Sequence, residues 1–230
     1  MKVWSCCHKR GFAPGCSTGN THTVECENPE ILAYLCPFEA TPQVTTNTKW
    51  KIIALDCEMS YTKHGLTLTR MSILSFPDSR ILVDTYIREA YPGVPIIDYN
   101  TRYSGVTHNN LYPVDPANSP PVLTGIAAAR RKLWEYCDAN TIIIGHGLDH
   151  DLKCLRLIHP RIIDTAILFS SQLGMKHRLK RLAETELNWD IQQENAGHDS
   201  VEDCRTCISL VLKFLERPSL VGSAANDVPD

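Results

Sequence analysis

The sequence predicts an α/β layer fold built on a mixed five-stranded sheet flanked by helices. Short apolar runs of strand length come first, and from about residue 122 strand-like and helix-like segments alternate. The longest amphipathic pattern falls near the C-terminal end.

Each element has its own signal. Trp50 to Asp56 is a short apolar run suited to a buried strand. Leu66 to Phe76 and Arg80 to Ile87 read as two more strands, joined by a Pro77-Asp78-Ser79 turn. Residues 88 to 121, rich in Pro, Asn, Tyr and Asp, read as a long loop of the kind that is functional or disordered. Val122 to Ala139 has helical spacing, Thr141 to Gly145 is a strand, and Asp149 to Ile158 a helix. Arg161 to Asp164 is the last strand, followed by amphipathic helices over Lys176 to Leu187 and Ser200 to Leu215. Three zones result: a Cys- and His-rich element over 1–48, the α/β domain over 49–217, and a loose tail over 218–230.

Composition bounds the function classes. Of 230 residues, 43% are hydrophobic and 21% charged, which supports a core of normal size. The net charge of −3 and pI near 6.3 argue mildly against a nucleic-acid binder, unless bound metal neutralises a cluster of acids. No apolar run is long enough to span a membrane, and Met1 to Arg10 lacks the apolar core of a secretory signal, so an intracellular protein, nuclear or cytoplasmic, is expected. In that reducing setting the ten cysteines are not a disulfide set.

Three places carry acids. Asp56-Cys57-Glu58 closes the first strand, and alternation points positions 56 and 58 the same way. Two carboxylates side by side on a buried strand repel each other unless a cation lies between them. Gly145-His-Gly-Leu-Asp-His-Asp151 sits at a strand-to-helix junction, a cleft-lining position, and offers both Asp149 and Asp151. One of the two is expected to cap the helix, and spacing does not choose between them. In Gly197-His198-Asp199-Ser200-Val201-Glu202-Asp203, Asp199 and Glu202 have capping-box spacing, which leaves Asp203 and His198 without a structural task. Carboxylates from separate segments clamp hard divalent cations, and a near-neutral histidine deprotonates water, a set suited to phosphodiester hydrolysis. Neither a G-x-S-x-G motif nor a P-loop is present.

The N-terminal zone holds Cys7-x8-Cys16-x5-His22-x3-Cys26, four potential ligands suited to a structural Zn²⁺. Cys6 competes with Cys7, His8 is adjacent, and Cys36 is spare. A segment this short and polar needs such a staple to fold. Cys204-x2-Cys207 reads as two small apolar residues on one helix face.

The ordered set Ala54-Leu-Asp56-Cys-Glu58-Met59, Val83-Asp84-Thr85, Ile97-Asp-Tyr-Asn-Thr-Arg102-Tyr-Ser-Gly-Val-Thr107, Gly145-His-Gly-Leu-Asp-His-Asp151-Leu, Ile163-Asp164-Thr165 and Gly197-His198-Asp-Ser-Val-Glu-Asp203 resembles the DEDDh exonuclease superfamily, and within it the Rex-type RNA exonucleases. The resemblance spans roughly residues 50 to 215. It implies an RNase H-like fold and release of nucleoside 5′-monophosphates from RNA 3′ ends. It also implies two Mg²⁺ or Mn²⁺ ions on Asp56, Glu58, Asp151 and Asp203, with His198 as general base, and so chooses Asp151 over Asp149. Met59 becomes a base contact and Arg102 a substrate contact; Asp84 and Asp164 match too, but as supports for strand ends. The Cys-Cys…Gly-Cys…His order is similar to a small element before the exonuclease domain of some fungal Rex-like proteins. The alternatives are the same chemistry on DNA, a catalytically silent nucleic-acid-binding module, and a zinc-dependent scaffold driven by the N-terminal element.

Overall fold

The computed structural model describes residues 32–34, 36–43, 50–171, 174–193 and 197–216. Cys7, Cys16, His22 and Cys26 of the predicted zinc element, and the tail 218–230, lie outside the described residues.

The strands are β1 (Glu39–Ala40), β2 (Ile52–Thr62), β3 (Gly65–Ser75), β4 (Ile81–Arg88), β5 (Ile96–Asp98), β6 (Val122–Thr124), β7 (Ile142–Gly145), β8 (Leu157–Ile158) and β9 (Ile162–Asp164). The helices are α1 (Thr101–Ser104), α2 (His108–Leu111), α3 (Ile126–Trp134), α4 (Leu148–Cys154), α5 (Thr165–Leu168), α6 (Leu179–Leu182) and α7 (Ser200–Leu215). The main sheet runs β6-β4-β3-β2-β7-β9, with β5 on the far end of β2. β2, β3 and β4 are antiparallel, whereas β6, β7 and β9 pair in parallel with β4, β2 and β7. This is the mixed sheet expected, with helices on both faces.

Alternation along β2 divides the core. Ile53 and Leu55 pack with Met71, Ile73 and Leu133 on the face covered by α3 and α4. Ala54 packs with Leu74 and Ile144 against Cys204, Cys207, Ile208 and Val211 of α7 on the other face. The two cysteines are buried and free, as their reading as small apolar residues requires.

Among the described residues the main sheet has seven strands rather than five. Both additions are three residues long, too short for a periodic signal. β5 comes from the long segment 88–121 and pairs with Tyr61 and Thr62. β6 takes the first residues of the predicted helix from Val122, because Gly125, at φ 82, breaks the chain before α3 starts at Ile126. The helix expected over 149–158 ends at Cys154; Arg156 turns at φ 50 and the chain enters β8. The helix over 176–187 is a short α6 continued by a wider π turn, Ala183–Leu187, which Asn188 stops in the left-handed region. β2 also runs past Glu58 to Thr62, so Asp56-Cys57-Glu58 lies inside the strand, next to a bulge at Glu58/Met59.

The α/β body begins before residue 49. Leu32 and Cys36 are buried in the α3–α4 core, and β1 pairs with β8. Arg130, 3% exposed, donates to the carbonyls of Pro37 and Arg156 at 3.0 Å each and binds the Glu39 carboxylate. The Ala139 N–H reaches Pro42 O at 2.8 Å. A sequence boundary at 48 missed this because the strap is held laterally, by contacts with residues roughly a hundred positions away.

Candidate active site

The acids converge where β2 outruns β7. β7 pairs with β2 only as far as Ala54–Ile144, so the Cys57 N–H lies beyond that ladder. Asp151 Oδ1, from the first turn of α4, accepts it at 2.9 Å. Asp56 and Glu58 share the β2 face opposite Ser72 and Arg70 of β3. α7 lies over that face, with Ser200 Oγ 2.7 Å from Ser72 Oγ, and brings Asp203 in on its first turn.

Electrostatics confirms the crowding. Burial, then the charges of Asp151, Asp203 and Glu58, hold the Asp56 carboxyl well above the usual carboxylate range. Glu58 is pushed up to about 9 by burial first and Asp203 next, against the pull of Arg70. Asp151 is pushed up to about 8 by burial, opposed by the Cys57 N–H. Asp203 rises to about 7 by burial, opposed by the Gln192 amide, which donates to Oδ2 at 2.9 Å. Glu58 Oε1 and Asp203 Oδ1 are buried with no hydrogen-bond partner. Such orphaned acceptors cost free energy unless a cation or donor meets them. Among the described residues no three of these groups stand as a formed metal cage. Hard oxygen donors and two unspent acceptors nevertheless fit divalent cations.

His198 sits on the loop before α7, about one-third exposed, with Nδ1 3.9 Å from Asp203 Oδ2. Burial pulls its pKa below the ordinary value, against the charge of Glu202. Its N–H donates to Tyr103 O at 2.7 Å, and the two rings meet edge to face. The preceding Gly197, at φ 73, lies so close to α1 that an added Cβ would stand 2.6 Å from Gly105 Cα.

Residues 53–211 match the RNase T exonuclease family. The chain belongs to this family. Its relatives include "Exonuclease GOR" of Pan troglodytes, 36% identical over 92% of the chain and 29% of that protein. "RNA exonuclease 1" of Saccharomyces cerevisiae is 41% identical over 71% of the chain and 28% of that protein. The chain therefore spans under a third of the length of these relatives. Among solved structures, the Saccharomyces cerevisiae Pan2 pseudoubiquitin hydrolase–RNA exonuclease module in complex with AAGGAA RNA is 26% identical, with TM-score 0.63, over 76% of the chain and 31% of that structure's chain. The DEDDh superfamily, to which the family belongs, typically uses divalent metals, and its sheet and helix layers are RNase H-like.

Within this exonuclease domain the other predicted residues are placed as follows. Asp149 is exposed, 3.4 Å from Lys153, while Asp151 is the buried one. Neither caps α4; Asp164 does, accepting from Gly147 N at 2.8 Å and Leu148 N at 3.3 Å while also capping α5 through Ala166 N. Asp199 caps α7 through Val201 N, but Glu202 binds Gln192 N at 3.1 Å instead of closing a capping box. Asp84 is held by Arg70 and Ser72. Met59 is half-buried and packs on the α3–α4 core, on the sheet face of Leu55 and Cys57. Arg102 is exposed on α1, with its guanidinium 5.9 Å from the Tyr103 ring centroid.

Sequence reasoning missed Arg70 and Gln192. Arg70 bridges Asp84 of β4, at 2.9 Å, and Asp199, the α7 cap, at 3.1 Å, and so ties the sheet to the helix that carries Asp203. An arginine as the one charge in its strand was the available signal, though it did not name the partners. Gln192 lies in a loop with no pattern and had none.

Among the described residues, no helix is long and apolar enough to cross a membrane.

Proposed function

We propose that this chain carries an intracellular 3′→5′ exoribonuclease that releases nucleoside 5′-monophosphates. One observation carries the reading: four carboxylates from β2, α4 and α7 meet at one buried place, two of their oxygens unpaired. Asp56, Glu58, Asp151 and Asp203 would hold two Mg²⁺ or Mn²⁺ ions. Bound there, the ions supply Lewis acidity for the attacking water and for the charge on the phosphate. The family match sets the reaction class, and the names of the relatives and the RNA-bound neighbour support RNA.

The chain's own groups divide the rest. His198 Nδ1 faces Asp203, which leaves Nε2 to take the proton of the attacking water. Its lowered pKa keeps it neutral, and therefore basic, at pH 7. As the water oxygen bonds to phosphorus, the bond from phosphorus to the upstream O3′ breaks, and O3′ takes a proton from solvent. A 5′-monophosphate and a new 3′-hydroxyl result. Arg102, exposed beside His198's anchor Tyr103, reaches the substrate backbone, and the uncovered part of Met59, next to Glu58 at the bulge of β2, would offer an apolar contact to the terminal base. A structural Zn²⁺ on Cys7, Cys16, His22 and Cys26 completes the proposal, on the grounds that thiolates and an imidazole suit that ion.

The test is degradation of matched 5′-labelled RNA and DNA oligonucleotides. Wild type should shorten RNA faster from its 3′ end, stop in EDTA and resume with Mg²⁺ or Mn²⁺. Asp56→Asn should bind RNA and not cut it. A fully active Asp56→Asn protein would sink the assignment, and a preference for DNA would move the substrate.

A further inference from the structure

Between residues 93–96 and the α1–α2 region lies a cavity of about 590 Å³ that the reaction leaves unused. It is lined by Val94, Pro95 and Ile96 together with three rings, Tyr99, His108 and Tyr112. His108 stacks on Tyr112 with centroids 4.9 Å apart and planes at 28°, and Tyr99 meets His108 edge-on at 6.2 Å. His108 is set firmly: it is the first residue of α2, whose Thr107 N–H donates to Asn110 Oδ1 at 2.8 Å in a reciprocal cap. The rings are nonetheless open, Tyr112 being 37% exposed. A cavity lined by three aromatic rings, a proline and aliphatic groups suits a planar heterocycle.

The slot adjoins the acid cluster. Tyr99 O accepts from Ser60 Oγ at 3.0 Å and from Ser104 Oγ at 2.8 Å. Ser60 is two residues beyond Glu58 on β2, roughly 7 Å along the strand, and Ser104 belongs to the helix that bears Arg102. Charge orients a strand lying here. Glu89 lines the cavity and makes it a poor seat for phosphate, while the Arg88 guanidinium lies 5.8 Å from the Tyr112 ring centroid and Arg102 is exposed on α1. Bases would turn inward and the backbone would follow the arginines.

We propose that this cavity is a stacking subsite for a nucleobase upstream of the two 3′-terminal nucleotides. The subsite lets the enzyme hold a chain by base faces, without reading its sequence. The inference rests on the exoribonuclease reading, and its test separates the two. Full-length chain carrying Asp56→Asn would be titrated with fluorescein-labelled octauridylate, and with diuridylate by competition. His108→Ala and Tyr112→Ala should each weaken the octamer by about tenfold and leave the dinucleotide unchanged, and Tyr112→Phe should bind as well as the parent. Equal loss on both lengths, no loss, or a Phe variant as weak as the Ala one overturns the subsite. In parallel, hydrolysis is measured with Asp56 intact. Length-dependent binding that falls with the rings, in a chain that does not cut, keeps the subsite and removes the exonuclease reading. Cutting that is indifferent to the rings does the reverse.

Discussion

The two sides of the cleft are built differently. On the acid side, Glu58, Asp151 and Asp203 are 6%, 4% and 4% exposed and sit on a long strand and on helices packed into the core. On the other side, residues 89–112 form short elements with open side chains: Arg102, Tyr103 at 55%, His108 and Tyr112. The sides meet where β5 pairs with the end of β2, at Ser60 Oγ on Tyr99 O, and where the loop before α7 touches α1, with the His198 N–H on Tyr103 O and Gly197 against Gly105. Bond-breaking needs donors fixed to a fraction of an ångström, which buried elements supply. Holding a polymer of varied sequence needs exposed rings and cations, which a surface segment supplies.

Breaking the acid side should cost most. His198→Ala should lower kcat roughly 10²–10⁴-fold and erase the acid limb of the pH–rate profile. In the wild type that limb should rise through a midpoint below the ordinary histidine value, because burial favours the neutral ring. A flat wild-type profile between pH 5 and 8 would remove His198 as base.

The junction comes next. Gly197→Ala places a Cβ 2.6 Å from Gly105 Cα, at a φ of 73 that disfavours any side chain. The loop must shift from α1 and take His198 with it. A fall in kcat of about tenfold, with KM little changed, is expected for a displaced catalytic group. Unchanged kinetics would mean that the two sides are not coupled here. On the open side, Arg102→Ala should raise KM by about tenfold and leave kcat, as loss of uniform binding does. A kcat effect without a KM effect would move Arg102 from holding substrate to the chemistry.

The same contrast explains what was legible in the chain. β2 announced itself as a short apolar run, β3 and β4 as strand-like runs either side of the Pro77-Asp78-Ser79 turn, and α7 by an apolar face at the helical period. Acids at 56, 58 and 203 stood out as charges on such buried elements. The choice between Asp149 and Asp151 is spatial: Asp151 accepts an N–H from a residue 94 positions away, which no local pattern encodes. Arg70 was opaque for the same reason, since its partners Asp84 and Asp199 lie on other elements. β5, β6 and the aromatic slot belong to a segment whose order comes from lateral bonds such as Ser60 Oγ to Tyr99 O.

The smallest expected effect is on stability, and it runs opposite to activity. Asp203 is held near 7 by burial, and Glu58 near 9, against an unfolded value of about 4. Between those values the native state binds more protons than the unfolded one. The unfolding free energy of the metal-free protein should therefore fall as pH rises from about 5 to 8. Asp203→Asn keeps an acceptor for the Gln192 amide and removes the buried charge. It should raise metal-free stability at pH 8, and by less at pH 5, while abolishing hydrolysis. Added Mg²⁺ should stabilise the wild type at pH 8 and the variant much less, because the cation binds the ionised native site alone. Thermal unfolding in EDTA and in Mg²⁺ at both pH values measures all of this. A metal-free wild type whose Tm climbs from pH 5 to 8 would show that its acids are stabilised without a cation, and the acid side would then be a structural cluster.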